Sequence, residues 1–229
     1  MRPLYLLPLL ALAGPCLADQ CDELPKPSVT VKRLEEKVSY NTSYSYKTLN
    51  NLGAALAQPG RQVLGLTRGN ATASFASKTQ SFVDRTGRWE CASPQITLTF
   101  GFTPVTVYVA REFPPGSCAY KEMLDHEMRH LKTYQEHMVS IEKSLAETLT
   151  ARFVTDKPWR GPAGQAAAQL QKELDERWLP YVQREIAKVD AAQALIDTAE
   201  EYERVANACD GEVKKRLLEA TGAKKPPSK

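Results

Sequence analysis

Histidine is the scarcest chemically useful side chain in this protein. Only three occur in 229 residues, His126, His130 and His137, and all lie between Leu124 and His137. Any imidazole chemistry must therefore be done in that stretch. Cysteine is sparse too. Once Cys16 is set aside, no two cysteines stand at the short spacing of a thiolate zinc site, which excludes a zinc finger or ribbon. A surplus of one charge is also missing. Thirty basic and 27 acidic side chains leave +3, which supports no nucleic-acid partner. No internal repeat is found, which excludes a solenoid or propeller. Beyond the first eighteen residues no apolar run approaches the roughly 20 residues of a membrane helix. No transmembrane segment is expected in the mature chain.

What is present begins with "MRPLYLLPLLALAGPCLA". A basic residue, a short apolar run broken by Pro3, Pro8 and Pro15, and small side chains near its end have the pattern of a signal peptide. Residues 1–18 are expected to be cleaved after Ala18, leaving a secreted or periplasmic protein. Export puts Cys21, Cys91, Cys118 and Cys209 in an oxidising compartment, where disulfides are expected. Four cysteines allow three pairings. The expected set is Cys91–Cys118, pinning a strand to the helix that follows, and Cys21–Cys209, tying the N-terminal lead-in to the last helix.

The first half reads as strand. "VTVKRLEEKVSYNTSYSY" alternates and is rich in β-branched and aromatic residues. "KTLNNLGAALAQPG" reads as a short helix closed by Pro59–Gly60. "ATASFASKTQSFV" and "WECASPQITLTFGF" flank the turn "DRTGR", a hairpin pattern, and "PVTVYVARE" reads as a further strand. After Pro114–Gly116 the period changes to that of a helix. Met123, Leu124, Leu131, Tyr134, Met138, Ile141 and Leu145 form one apolar stripe from Cys118 to about Val154. "DKPWRGPAG" is a linker, and more helix follows, with a kink expected at Pro180 and a last short helix from Gly211 to Ala220. The expected fold is therefore α+β. It is a single domain over residues 19–221, strand-rich over 28–112 and helical over 118–220, with an antiparallel sheet of four to five strands and a disordered tail at 222–229.

His126, Glu127 and His130 spell H-E-x-x-H. Residues four apart lie one above the other on a helix, so two imidazoles can take two positions around one zinc ion. Glu127, beside the first ligand, is suited to take a proton from a water at the metal. All three histidines fall within roughly 40° around the helix, beside its apolar stripe. His137, however, lies about 10 Å past His130 on an unbroken helix, too far for a third ligand. It is expected to line a groove or be solvated. The third ligand is sought in "IDTAEEYER", with Glu201 the first choice, Asp197 the second and Glu200 close behind. One acid would ligate while another orients a histidine through its second nitrogen. A solvated acidic face explains the same residues.

These residues resemble the zincin metallopeptidases. More narrowly, the chain resembles a bacterial family of predicted secreted zinc-dependent proteases of uncharacterised function. That likeness rests on "NATASFASKTQSF", "GRWECASPQITLTF" and "VTVYVARE" leading into "YKEMLDHEMRHLKTYQEH", and spans about Val29 to Cys209. It implies Zn²⁺ on His126 and His130, with Glu127 as catalytic base. A peptide or peptidoglycan-type substrate is expected to lie along an edge strand, at Ile96–Phe100 or Val105–Ala110. The competing expectation is an exported protein without catalysis, which binds a partner through its helical half and keeps a structural or vestigial metal site.

Overall fold

The computed structural model describes residues 20–34, 37–54 and 61–221. The expected leader at 1–18, the cleavage after Ala18, the tail at 222–229 and the Pro59–Gly60 helix end lie outside them.

Among the described residues five strands form one sheet: β1 (Ser28–Arg33), β2 (Val38–Asn41), β3 (Gly65–Val83), β4 (Trp89–Val109) and β5 (Trp159–Pro162). The long hairpin is present. β3 and β4 pair antiparallel from Gly65↔Val109 to Val83↔Glu90. The Asp84 carboxylate closes the turn by accepting from the backbone N–H groups of Thr86, Arg88 and Trp89 at 2.9–3.0 Å. On the other side of β4 lie β5, β1 and β2, end to end. Both β1 and β2 run parallel to β4, so the sheet is mixed where an antiparallel one was expected. The hairpin is set by its local turn, but the direction of β1 and β2 is set by long-range pairing.

"PVTVYVARE" is not a separate strand. It continues β4 through an irregularity opposite Gly69–Ala71, where β4 carries one extra residue around Thr103–Pro104. Burial shows what this does. Ile96, Leu98, Phe100 and Phe102 are buried before it, Val105, Val107 and Val109 after it. The buried parity changes from even to odd, and the extra residue keeps both sets on one face.

The described residues form six α-helices: α1 (Tyr46–Leu52), α2 (Cys118–Phe153), α3 (Ala166–Glu173), α4 (Leu179–Ala187), α5 (Val189–Ala194) and α6 (Ala199–Thr221). Ser117 caps α2 by accepting from the Tyr120 N–H at 3.1 Å. The stripe of α2, with Leu131, Met138, Ile141 and Leu145, meets β4 and the buried Leu174, Val182 and Ile186 of the following helices in the main core. A second core gathers Leu49, Leu66, Phe113, Met123, Val205 and Val213 at the N-terminal end of α2. In place of the kink expected at Pro180, the irregularity is a π turn at Leu174–Trp178, and Pro180 stands in the first turn of α4, where it costs no helical hydrogen bond. The last helix is broken at Ala208–Gly211, where Cys209, Asp210 and Gly211 take left-handed conformations. The expected helix beginning at Gly211 is its second half.

The disulfides are Cys21–Cys91 and Cys118–Cys209, each with Cα atoms 5.8 Å apart. The pairing Cys91–Cys118 with Cys21–Cys209 is thereby overturned. Parallel pairing of β1 on β4, starting at Ser28↔Gln95, carries the turn before β1 beside the start of β4 and so brings Cys21 to Cys91. At the other end α6 runs back along α2. Glu201 meets His126, Arg204 meets Glu122 and Glu212 meets Ala119, so Cys209 arrives at Cys118.

Candidate metal centre

One helix, α2, carries His126, Glu127 and His130, and the turn between α5 and α6 carries Asp197. His126 Nε2, His130 Nε2 and Asp197 Oδ1 form a triangle with all three sides at 3.2 Å. Zinc bonds of 2.0–2.1 Å at tetrahedral angles separate ligand atoms by about 3.3 Å. The three donors therefore fit one tetrahedral ion and leave its fourth position open.

The second nitrogens are held as well. Gln193 donates from Nε2 to the His130 carbonyl oxygen at 3.1 Å, which turns its Oε1 toward His130 Nδ1 at 2.6 Å. His130 Nδ1–H is then the donor, and Nε2 offers a lone pair. That lone pair faces a carboxylate oxygen, and two acceptors this close require positive charge between them, a proton or a metal ion. His126 Nδ1 lies 3.1 Å from Glu201 Oε1. Arg129 and Arg204 also donate to that oxygen. Arg129 Nη2 also lies 2.9 Å from His126 Nδ1, and a guanidinium only donates, so Nδ1 accepts from Arg129 here; freeing Nε2 for a metal places the proton on Nδ1, facing Glu201 Oε1.

Glu201, the first choice for third ligand, thus stands behind His126, while Asp197 faces both Nε2 atoms. Sequence spacing put the two acids on one helix face. In the structure Asp197 precedes α6, and that turn decides which acid reaches the histidines. Glu200 is not in the cluster formed by His126, His130 and Asp197. His137 donates from Nε2 to the Glu185 carbonyl oxygen at 2.9 Å and ties α2 to α4.

The charges agree with this geometry. Burial opposes ionisation of Asp197, but hydrogen bonds from His126 and His130 outweigh it and hold its carboxyl far below the usual range. Burial also opposes charge on His130, yet Asp197 and Glu127 raise its pKa. Hydrogen bonding from Arg204, helped by His126 and Arg129, outweighs burial and lowers Glu201 to about 2.

Glu127 is nearly enclosed, with 3% of its surface exposed, and its Oε1 is 4.0 Å from His126 Nε2. Burial raises its carboxyl above the usual range, against the pull of both imidazoles and of the Thr67 hydrogen bond. The Thr67 hydroxyl lies 2.9 Å from Glu127 Oε2. Beside it, Gly65 gives Glu127 its space, because a Cβ there would stand 2.8 Å from Glu127 Cγ. Sequence reasoning missed Thr67, Gly65 and Gln193. Each lies about 60 residues from its partner, and no local pattern marks it.

The site opens into a cavity of 490 Å³ between α2, the chain leading into β3, and α5–α6. The stretches Ile96–Phe100 and Val105–Ala110 are not at a free edge. Most of both lies within β4, covered by β3 on one side and by β1 or β2 on the other. Among the described residues β3 pairs only with β4, so its other edge is free, and its first residues, Gly65 to Thr67, line the cavity at the site. No described helix is long and apolar enough to cross a membrane.

Helix, histidine pair and carboxylate, on an α+β fold, are consistent with a zincin-like H-E-x-x-H metal site. Comparison with known proteins returns no family model, no curated protein and no solved structure that matches the chain.

Proposed function

We propose that the protein is an exported zinc-dependent hydrolase, a peptidase of the H-E-x-x-H type. The reading rests on one observation above the others. Two imidazole nitrogens and a carboxylate oxygen converge at 3.2 Å, with the buried Glu127 alongside. His126, His130 and Asp197 would hold the ion, and Glu201 and Gln193 would orient the imidazoles. Zinc, when bound, supplies a Lewis acid for the scissile carbonyl. Glu127, raised by burial, accepts the proton of the attacking water and passes it to the leaving amine. Thr67 holds that carboxylate in place. A peptide, or the peptide of a peptidoglycan cross-link, runs along the free edge of β3. The likeness to secreted bacterial zinc proteases and the signal-type first eighteen residues support the same reading. They extend it to a secreted or periplasmic location after cleavage at Ala18.

A carboxylate facing both histidines favours the enzyme over the non-catalytic binder, which needs no open fourth position. The test is metal analysis and amide hydrolysis of the mature protein beside Glu127→Gln. About one zinc in both, with hydrolysis only in the unsubstituted protein, is expected. Equal hydrolysis by the two would sink the role of Glu127, and zinc without hydrolysis in either would favour the binder.

A further inference from the structure

The cavity is not uniform along its length. Toward the C-terminal side of His130 it is polar, bounded by Tyr134, Asp190 and Gln193. Toward the N-terminal end of α2 it is apolar. Val63 and Leu66 come from the chain around the start of β3, Met123 from α2, and Val205 and Leu217 from the two halves of α6. The break in α6 builds this end. The left-handed residues Cys209, Asp210 and Gly211 let the second half turn back, so that Leu217 and Lys214 line the same cavity as Val205. The Cys118–Cys209 disulfide ties that turn to α2.

Two cations stand at the apolar end. Lys214 Nζ lies 3.3 Å from Glu203 Oε1, and Arg61 Nη1 lies 3.9 Å from Glu203 Oε2. They share the Glu203 carboxylate, and Lys214 also donates to the neutral Asn207 Oδ1, so in this group two cations face one anion. The Arg61 guanidinium is also held over the Tyr202 ring, 5.8 Å from its centroid. Arg129 and Arg204, by contrast, are directed to Glu201 and Glu122.

We infer that this end of the cleft binds a peptide segment in which a large apolar side chain beside the scissile bond is followed by a carboxylate. The side chain fills the space between Val63, Leu66, Met123, Val205 and Leu217. The carboxylate meets Arg61 and Lys214. A charged side chain in the apolar space would lose its hydration without gaining a partner. The carboxylate comes from a chain terminus or from an acidic residue, and both present the same chemistry. This assignment of substrate rests on the proposed hydrolase reading.

The experiment separates the two. Zinc-loaded Glu127→Gln protein is titrated calorimetrically with acetylated, alanine-based tetrapeptides. One ends in leucine as the free acid, one is its amide, one has leucine followed by aspartate with an amide end, and one ends in lysine as the free acid. The leucine acid should bind at least tenfold tighter than its amide and than the lysine acid. Adding Arg61→Gln and Lys214→Gln should bring the acid down to the amide and leave the amide unchanged. If the leucine–aspartate amide matches the acid, the carboxylate is that of a side chain; if it does not, that of a terminus. Equal binding of acid and amide, equal binding of leucine and lysine, or no binding at all overturns the inference. The same peptides are then offered to the unsubstituted zinc protein. Preference without cleavage counts against the hydrolase and leaves the cleft assignment standing. Cleavage without preference does the reverse.

Discussion

The Thr67 hydroxyl oxygen lies 2.9 Å from Glu127 Oε2 and 2.9 Å from the Glu127 carbonyl oxygen, so one strand residue holds both ends of the residue proposed as base. A hydrogen bond to a charged group contributes about 1.5–3 kcal/mol. Thr67→Val keeps the shape and removes the hydroxyl. It should retain zinc and lower kcat about 10–100-fold, with little change in KM, and Thr67→Ser should restore most of the loss. Equal kcat in the valine and serine variants would show that the hydroxyl does not matter.

Gly65→Ala acts on the same carboxylate from the side. The added methyl claims space within 3 Å of Glu127 Cγ and Cδ, and the flexible Glu127 side chain gives way before the backbone of β3. Hydrolysis should be lost while zinc content and melting temperature stay near those of the parent. Loss of zinc in this variant would mean that the whole site, not the base alone, has moved.

The metal ligands separate by magnitude. His126→Ala, His130→Ala and Asp197→Ala should each lose most of the zinc. Glu201→Ala, behind His126, should cost about 10–100-fold in affinity. Glu203→Ala should not change it. Because imidazole must be deprotonated to bind metal, zinc affinity should also fall as the pH is lowered. Competition with a fluorescent chelator gives these affinities directly. An Asp197→Ala protein with parental affinity would move the third ligand elsewhere.

The Cys118–Cys209 bond ties the start of α2 to the turn of α6, 91 residues apart. The chain-entropy model assigns a loop of that length on the order of 4–5 kcal/mol. Replacing both cysteines by serine should lower the melting temperature and weaken zinc binding, since α6 carries Glu201 and follows Asp197. Peptide mapping without reductant should link Cys21 to Cys91, and a Cys91–Cys118 peptide would contradict the fold.

Acid stability is expected to depend in part on Glu173. It accepts from Arg152 Nε and Nη2 at 2.7 and 2.6 Å and from Trp178 Nε1 at 3.0 Å. Burial opposes its charge, but these hydrogen bonds outweigh burial and hold its carboxyl below the ordinary 4.5. A carboxyl depressed in the folded state stabilises the protein above its unfolded pKa and loses that contribution as pH falls through the folded value. Glu173→Gln should therefore lower the melting temperature at pH 7 and flatten its fall below pH 4.5. Parallel curves for the two proteins would exclude Glu173 from the acid transition.

The features legible in the sequence are those that depend on neighbours a few residues away. The α2 stripe follows a 3.6-residue period, the β3–β4 turn is marked by Asp84 and Gly87, and His126 and His130 share a helix face because they are four residues apart, with Glu127 next to the first of them. Spacing also singled out the acids at 197 and 201. It did not say which would face the histidines, because that depends on the turn between α5 and α6. Only the tertiary structure decided the parallel placement of β1 and β2, the continuity of β4 across Thr103–Pro104, both cysteine pairings, and the approach of Gly65, Thr67 and Gln193 to the site. The cysteine pairs span 70 and 91 residues, and Thr67 lies 60 from Glu127. At such separations the partner is chosen by how whole elements pack, with α6 lying back along α2 and β1 lying along β4. No local period carries that information.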